Sequence, residues 1–425
     1  MKTIFARSAV VSTVILTTLL TGCGESATGA GTATGAAPSS SAVAIDSAIG
    51  LQFSGGKAGA ADSAATPIKI GLINQEGGQV SDPEGSIAVK AAFDYINAEM
   101  GGIGGHPLQL DLCKVTSSEE EAQQCAQRFL NDKDVSVVMQ GGLNVGANAV
   151  HETIGGAKPT VIIMANPGSD QTAKNAYAVN PSVVAALPGS ATFIASKGLK
   201  TVGVVTNDNP GNLAIAQVSE KVFSAFGLTT KVTTFPAGST DLTSAFTAGL
   251  ADKPEVINPL VVTTPECIAA AKALEALGST TPAIGAGLCA TEDIRKGLGD
   301  FPKWSFEHTV LSLFAEDSTG QVAFYRAVMG KYAGADAQLG INAPASFGAA
   351  FLLANALNSV GADKITPDTV AGAVKAYTGG VLLGTPKVAF GSVKDSPTLS
   401  GTADRFYTYL GDGKWEIGDW QNLPK

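Results

Sequence analysis

Basic runs are missing from this chain. Lys and Arg number 28 against 37 Asp and Glu, a formal charge of -9, and nowhere do they interleave with aromatics, so a nucleic-acid partner is excluded. Histidine is scarce: His106, His151 and His308 fall in a turn, a helix and a strand start, without a partner in sequence, which favours structural roles over catalysis. No G-x-S-x-G occurs, and neither Gly56-Lys57 nor Gly330-Lys331 is followed by Ser or Thr. A nucleophile elbow and a phosphate loop are therefore both absent. The five cysteines show no C-x-x-C spacing and no His within a few residues, which argues against zinc. What remains is a body that is 45% hydrophobic and 15% charged, with 50 Gly among 425 residues. That suits a large core divided over two or three domain-sized units.

The N-terminus carries Lys2 and Arg7, then an apolar stretch from Ala9 to Leu20 broken by Ser12, Thr13, Thr17 and Thr18. It falls short of the ~20 apolar residues of a membrane span and reads as a signal peptide over residues 1–22. Leu20-Thr21-Gly22-Cys23 resembles the bacterial lipobox, which makes Cys23 the lipidated first residue of a mature protein held on the extracytoplasmic face of the cell membrane. An ordinary secretory signal with an incidental Cys23 is the alternative. Residues 23–66, dominated by Gly, Ala, Ser and Thr, read as a flexible tether. The other four cysteines suit two disulfides in an oxidising compartment. Cys113 ends an apolar strand and Cys125 lies in the helix that folds back beside it, while Cys267 opens a helix and Cys289 closes the next strand. The expected pairs are Cys113 with Cys125 and Cys267 with Cys289.

Beyond Pro67, short β-rich runs alternate with helical ones. Strands are expected at 68–73, 108–113, 135–139, 160–164, 200–206, 229–234, 256–263 and 308–314. Helices are expected at 85–100, 119–131, 145–155, 211–226, 240–251 and 266–277. Strands alternating with crossover helices imply parallel sheets covered on both faces. Ligands of such sheets sit beyond the carboxyl ends of the strands. Gly285-x-Gly287-x-x-Ala290, with Glu307 about 20 residues on, matches a relaxed dinucleotide fingerprint. A small-residue turn between strand and helix accounts for it without a cofactor, and none is expected.

Ile68-Lys69-Ile70-Gly71-Leu72-Ile73, the Gly77-Gly78 loop, Ala91-Ala92-Phe93-Asp94-Tyr95-Ile96-Asn97 and Gly101-Gly102-Ile103-Gly104-Gly105-His106-Pro107-Leu108 resemble the leucine/isoleucine/valine-binding protein family. Val137–Gly142, Ala165–Ser169 and Ala345–Ala350 support the likeness, which spans about residues 68–412. The resemblance implies a type I periplasmic-binding fold: two Rossmann-like α/β lobes joined by three crossings, near 184–190, 310–316 and 395–405. The lobes would be discontinuous, with 67–187 and 311–400 in one and 188–310 and 401–425 in the other. It also implies a monomer that is not an enzyme. Such a chain would serve as the solute-binding subunit of an ABC importer, with permease and ATPase subunits as partners, or as a ligand-sensing receptor subunit.

A binding cleft needs polar groups at strand ends from both lobes. Ser81 and Asp82 follow the first strand, Asn144 the third, and Asn166 and Ser169 the fourth. Asn207, Asp208 and Asn212, then Thr264 and Glu266, follow strands of the second lobe, and Leu288 completes the expected set. Each polar residue can equally cap its helix. Near Asn144 and Ser169 the helix ends can hold a carboxylate. In amino-acid-binding members an aromatic and an acid of the second lobe hold the side chain and the ammonium. Here Pro210 and Gly287 stand at those positions, leaving Asp208 or Glu266 as substitutes. A branched-chain or other amino acid is the first expectation, and amides, urea and aromatic acids are what other members bind.

Overall fold

The computed structural model describes residues 45–424 apart from 79–80, 167, 316–317, 335–336, 338–339 and 341. The expected signal peptide, Cys23 and the tether as far as residue 44 lie outside the described residues. The chain runs α1 (Ser47–Ser54), β1 (Ile68–Gln75), α2 (Pro83–Glu99), β2 (Leu108–Val115), α3 (Glu119–Asn131), β3 (Val135–Gln140), α4 (Ala147–Ile154), β4 (Thr160–Met164), α5 (Ser169–Thr172) and β5 (Ala176–Asn180). These five strands form one parallel sheet in the order β2-β1-β3-β4-β5. β1 and β3 are buried nearly throughout because helices cover both faces. In α3 the expected start holds because Ser118 and Glu121 form a reciprocal capping box.

The chain then builds a second lobe: α6 (Val183–Ser196), β6 (Thr201–Asn207), α7 (Pro210–Ala225), β7 (Thr229–Phe235), α8 (Thr243–Leu250), β8 (Val256–Leu260), α9 (Thr264–Ala276), β9 (Ile284–Ala286), α10 (Glu292–Leu298) and β10 (Ser305–His308). It returns to the first lobe for α11 (Gln321–Tyr332), α12 (Asn342–Val360) and α13 (Pro367–Ala376), and ends in the second with β11 (Arg405–Gly411) and β12 (Lys414–Ile417). β7-β6-β8 is parallel, and β12-β11-β10-β9 adds an antiparallel hairpin. One bridge, Ile257 to Ala283, links these two sheets. Ile257 donates its N–H to Pro282, but two residues on Pro259 has no N–H to give. The side-chain amide of the neighbouring Asn258 donates to the Ile284 carbonyl instead, at 2.9 Å.

The first lobe's core is aromatic where α2 meets α11 and α12. Tyr95 lies edge-on to Phe324 at 5.4 Å between centroids, and Phe347 packs on Phe351 at 5.0 Å. Both expected disulfides are present: Cys113–Cys125 ties β2 to α3, and Cys267–Cys289 ties α9 to the turn after β9.

Three expectations need correction. The tether was expected to reach residue 66, yet residues 47–54 are helix α1. Asp46 caps it, accepting the Ala48 N–H at 3.0 Å, and Ile49 and Phe53, one turn apart, bury against the first lobe. Asn355 and Asn358 of α12 donate to the carbonyls of Phe53 and Ser54. Lys57, Gly59 and Ala61 then bond the end of α2. Residues 184–190, expected as the first crossing and split between lobes at 187, lie inside α6, whose Leu187, Ala191 and Ile194 pack in the second lobe's core. The chain therefore crosses between Asn180 and Val183. The strand expected at 308–314 is Ser305–His308. Val310, Leu311 and Leu313 are apolar because they return to the first lobe's core, where the Leu311 N–H meets the Leu383 carbonyl at 2.6 Å.

Candidate functional site

On the first lobe the expected residues gather at the carboxyl ends of the neighbouring strands β1, β3 and β4, but most already have work within the protein. Ser81 Oγ accepts the Gly77 N–H at 3.0 Å. Asn166 donates its amide to the Leu143 carbonyl at 2.7 Å and its N–H to Asp170. The Asn144 N–H is taken by Gln75 Oε1 at 2.8 Å, and its exposed side chain bonds no other described residue. Ser169 opens the four-residue α5, and its hydroxyl bonds no other described residue. Asp82 precedes α2 without capping it through its side chain. Burial, and then the neighbouring Glu84, push its carboxyl up to about 7.

On the second lobe Asn207 and Glu266 hold each other. The Asn207 amide donates to Glu266 Oε1 at 2.7 Å, and the other carboxylate oxygen accepts the Val262 N–H at 3.2 Å. The helix cap is Thr263, not Thr264, which stays exposed. Asp208 is exposed and accepts the Ala237 N–H at 2.8 Å. Asn212, in the first turn of α7, is 7% exposed and its side-chain nitrogen has no partner among the described residues. Leu288 lies half-buried in the Gly287–Cys289 turn, which Cys267–Cys289 fastens to the start of α9.

Sequence reasoning missed three groups. His151, read as lacking a partner, lies 2.7 Å from Asp170, a buried carboxylate that also takes Gln140 Nε2 and the Asn166 N–H. This network stiffens the β4 loop. His308 is buried at the end of β10, its ring nitrogens without a hydrogen-bond partner among the described residues, and burial pushes its pKa down to about 4, so it is neutral. Its ring covers Gly287. A methyl group there would stand 2.8 Å from the Glu307 carbonyl and 2.9 Å from the imidazole, which is why no acid fits that position. Finally, Glu84 reaches from α2 to the start of α12, accepting the N–H groups of Gly340 at 2.8 Å and Asn342 at 3.0 Å. No short motif announces any of these contacts.

The lobes meet in a crevice whose walls include Gly287, Thr291 and His308 on one side and Gly340 and Pro344 on the other. It has about 20 Å³ of room, enough for about one water. Among the described residues no cluster of three or more His, Cys, Asp or Glu side chains could hold a metal, and no helix is long and apolar enough to cross a membrane.

Solved structures share this architecture. A solute-binding protein from R. palustris, in complex with 4-hydroxybenzoate, superposes with a TM-score of 0.67 at 17% identity, covering 84% of this chain and 98% of its own. An ABC transporter substrate-binding protein from Sphaerobacter thermophilus gives 0.70 at 16%, covering 84% and 98%. A leucine-binding protein from Thermotoga maritima gives 0.62 at 17%, covering 84% and 99%. The search of curated proteins gives no match. The family model described as a periplasmic binding protein matches residues 67–396. Two α/β lobes with parallel sheets, and a family match over most of the chain, make this protein a member of the periplasmic binding proteins, a binder and not an enzyme.

Proposed function

We propose that this chain captures a small polar solute between its lobes and delivers it to the permease and ATPase subunits of an ABC importer, and that the solute is an amino acid. The observation that carries the reading is the gathering of polar side chains at the carboxyl ends of strands in both lobes, beside a crevice walled by both. Cys23 anchors the mature chain, as a monomer, on the extracytoplasmic face of the membrane. Closure then turns solute contacts into a population shift between open and closed lobes. The leucine-binding protein of Thermotoga maritima supports the amino acid. A second reading, an aromatic acid, draws on the R. palustris protein in complex with 4-hydroxybenzoate. Mass spectrometry of the solute that co-purifies with the native protein tests both: an amino acid supports the first, and an aromatic acid or amide overturns it. Scattering profiles and melting temperatures unchanged across amino acids, amides and aromatic acids would remove the transport reading altogether.

A further inference from the structure

A second hollow lies at the other end of the second lobe. The cleft faces the carboxyl ends of the strands, whereas this groove lies where the chain enters β9 and β10, between residues 279–282, residues 300–304 and the last turn of α9. It has about 520 Å³ of room, within the range of small-molecule sites. Leu274, Phe301 and Trp304, all buried, form its floor, and Glu275, Thr280, Thr281 and Lys303 stand at its rim.

The floor carries a side-chain donor that no acceptor of the described residues meets. Trp304 is 6% exposed, and its indole N–H bonds none of them. Gly285 shows how the ring is turned: a β-carbon there would stand 3.0 Å from Cε3 and 3.4 Å from Cζ3, so the end of the indole away from the nitrogen covers β9. The nitrogen end is left for the groove, and unlike the unpartnered ring nitrogens of His308 it is not sealed off. A buried indole N–H calls for an acceptor, which an occupant of the groove would supply.

The walls narrow the kind of occupant. Asp300 is already engaged, because the Tyr409 hydroxyl lies 2.7 and 2.8 Å from its two carboxylate oxygens and the Phe301 N–H donates to Oδ1 at 2.8 Å. Glu275 and Lys303 are exposed, and neither makes an ion pair with a described residue. With Asp300 in the wall and α9 and α10 both ending there, the groove disfavours an anion. A cation would face Lys303 and leave the indole N–H without its acceptor. The occupant that fits accepts from Trp304, exchanges hydrogen bonds with a rim of hydroxyls, one carboxylate and one ammonium, and lays C–H surface on Leu274 and Phe301. A sugar ring does all three, since each hydroxyl both donates and accepts.

We propose that the second lobe carries a second binding site, separate from the solute cleft, which takes a short neutral saccharide, with the Trp304 indole N–H donating to a sugar oxygen. The site goes beyond the solute-binding reading and does not depend on it.

Proton–nitrogen correlation NMR of the mature chain with labelled tryptophan tests this. Trp304, Trp415 and Trp420 are the 3 tryptophans, and Trp304→Phe identifies the indole signal of Trp304 by its loss. Maltose, cellobiose and N,N′-diacetylchitobiose are the probes, with acetate and methylammonium as charged controls. The expected result is a saturable shift of the Trp304 signal with at least one disaccharide and none with the controls, and binding of that disaccharide about fivefold weaker in Trp304→Phe by calorimetry. Thr280→Tyr narrows the groove from its exposed rim and leaves the core alone. It should perturb the same signal in the free protein and abolish its response, which keeps the test open should Trp304→Phe fail to fold. Affinity for the solute that co-purifies in the cleft should be unchanged in both variants. A Trp304 signal unmoved by every disaccharide, or moved by a charged control alone, overturns the proposal and leaves the solute-binding reading intact. Disaccharide binding that competes with the cleft solute also overturns it.

Discussion

Half-buried Glu307 and fully buried Asp404 are two carboxylates held side by side against one turn of α6, close to where the chain passes between the lobes. Ser190 donates its hydroxyl to Glu307, and the Asp404 carboxylate rests on the backbone of Gly189, so closely that a methyl group there would overlap it. Neither oxygen of Asp404 has a hydrogen-bond partner among the described residues. Burial raises both carboxyls, and Glu307 raises Asp404 further. A carboxyl raised in the folded state contributes stability that is full below the ordinary carboxylate range and is lost as pH rises through its folded pKa. Melting temperature should therefore fall from mildly acid to mildly alkaline pH. Asp404→Asn should flatten that dependence and gain about 1–3 kcal/mol at the alkaline end. Denaturant titrations at both pH values check it; an unchanged slope in the variant would refute the pairing.

Glu266 serves the fold of the second lobe. Glu266→Ala leaves the Asn207 amide and the Val262 N–H without their acceptor in a buried setting. Chemical denaturation should show a loss of about 1–3 kcal/mol. The ratio of amino-acid to deaminated-probe affinity should be unchanged. A selective loss of amino-acid binding at full stability would instead make Glu266 the ammonium acceptor.

Helix α1 is part of the first lobe. Phe53 is 9% exposed against that lobe's core. Phe53→Ala should cost about 3 kcal/mol, read as a lower urea midpoint at constant slope. Limited proteolysis should leave residues 55–66 intact in the wild type and cut within them in the variant.

The disulfides close loops of different length, with sequence separations of 12 for Cys113–Cys125 and 22 for Cys267–Cys289. Non-reducing peptide mapping should recover these two pairs. Cys267→Ser with Cys289→Ser should destabilise the protein by about 3 kcal/mol. It should also weaken solute binding, since this bridge joins two segments at the cleft side of the second lobe.

Strand and helix positions were legible where burial is complete and local. The β1 and β4 runs, and the capping box ahead of Glu119, specify their elements within a few residues because propensity and packing agree there. Legibility failed where an apolar residue buries against something distant. Val310 to Leu313 reads like a strand but is chain returning to the first lobe. Ile45 and Leu51 to Phe53 read as a faint apolar interruption in a tether until α2 and α12 are placed against helix α1.

From the sequence alone follow the alternation of parallel strands and helices, both disulfide pairs, the absence of catalytic motifs and the loops in which polar groups would collect. Each depends on short-range pattern: periodicity, capping and spacing. The tertiary structure decided which of those polar groups are free. Asn207 lies 59 residues from Glu266, Asn166 is 23 from Leu143, and Glu84 is 256 from Gly340, and no local pattern encodes such pairs. A buried polar atom must find a partner wherever the fold brings one. So the same Asn or Glu becomes a strut or a ligand contact only when distant chain is packed against it, and Asn207 with the Val262 N–H consumed Glu266 in this way.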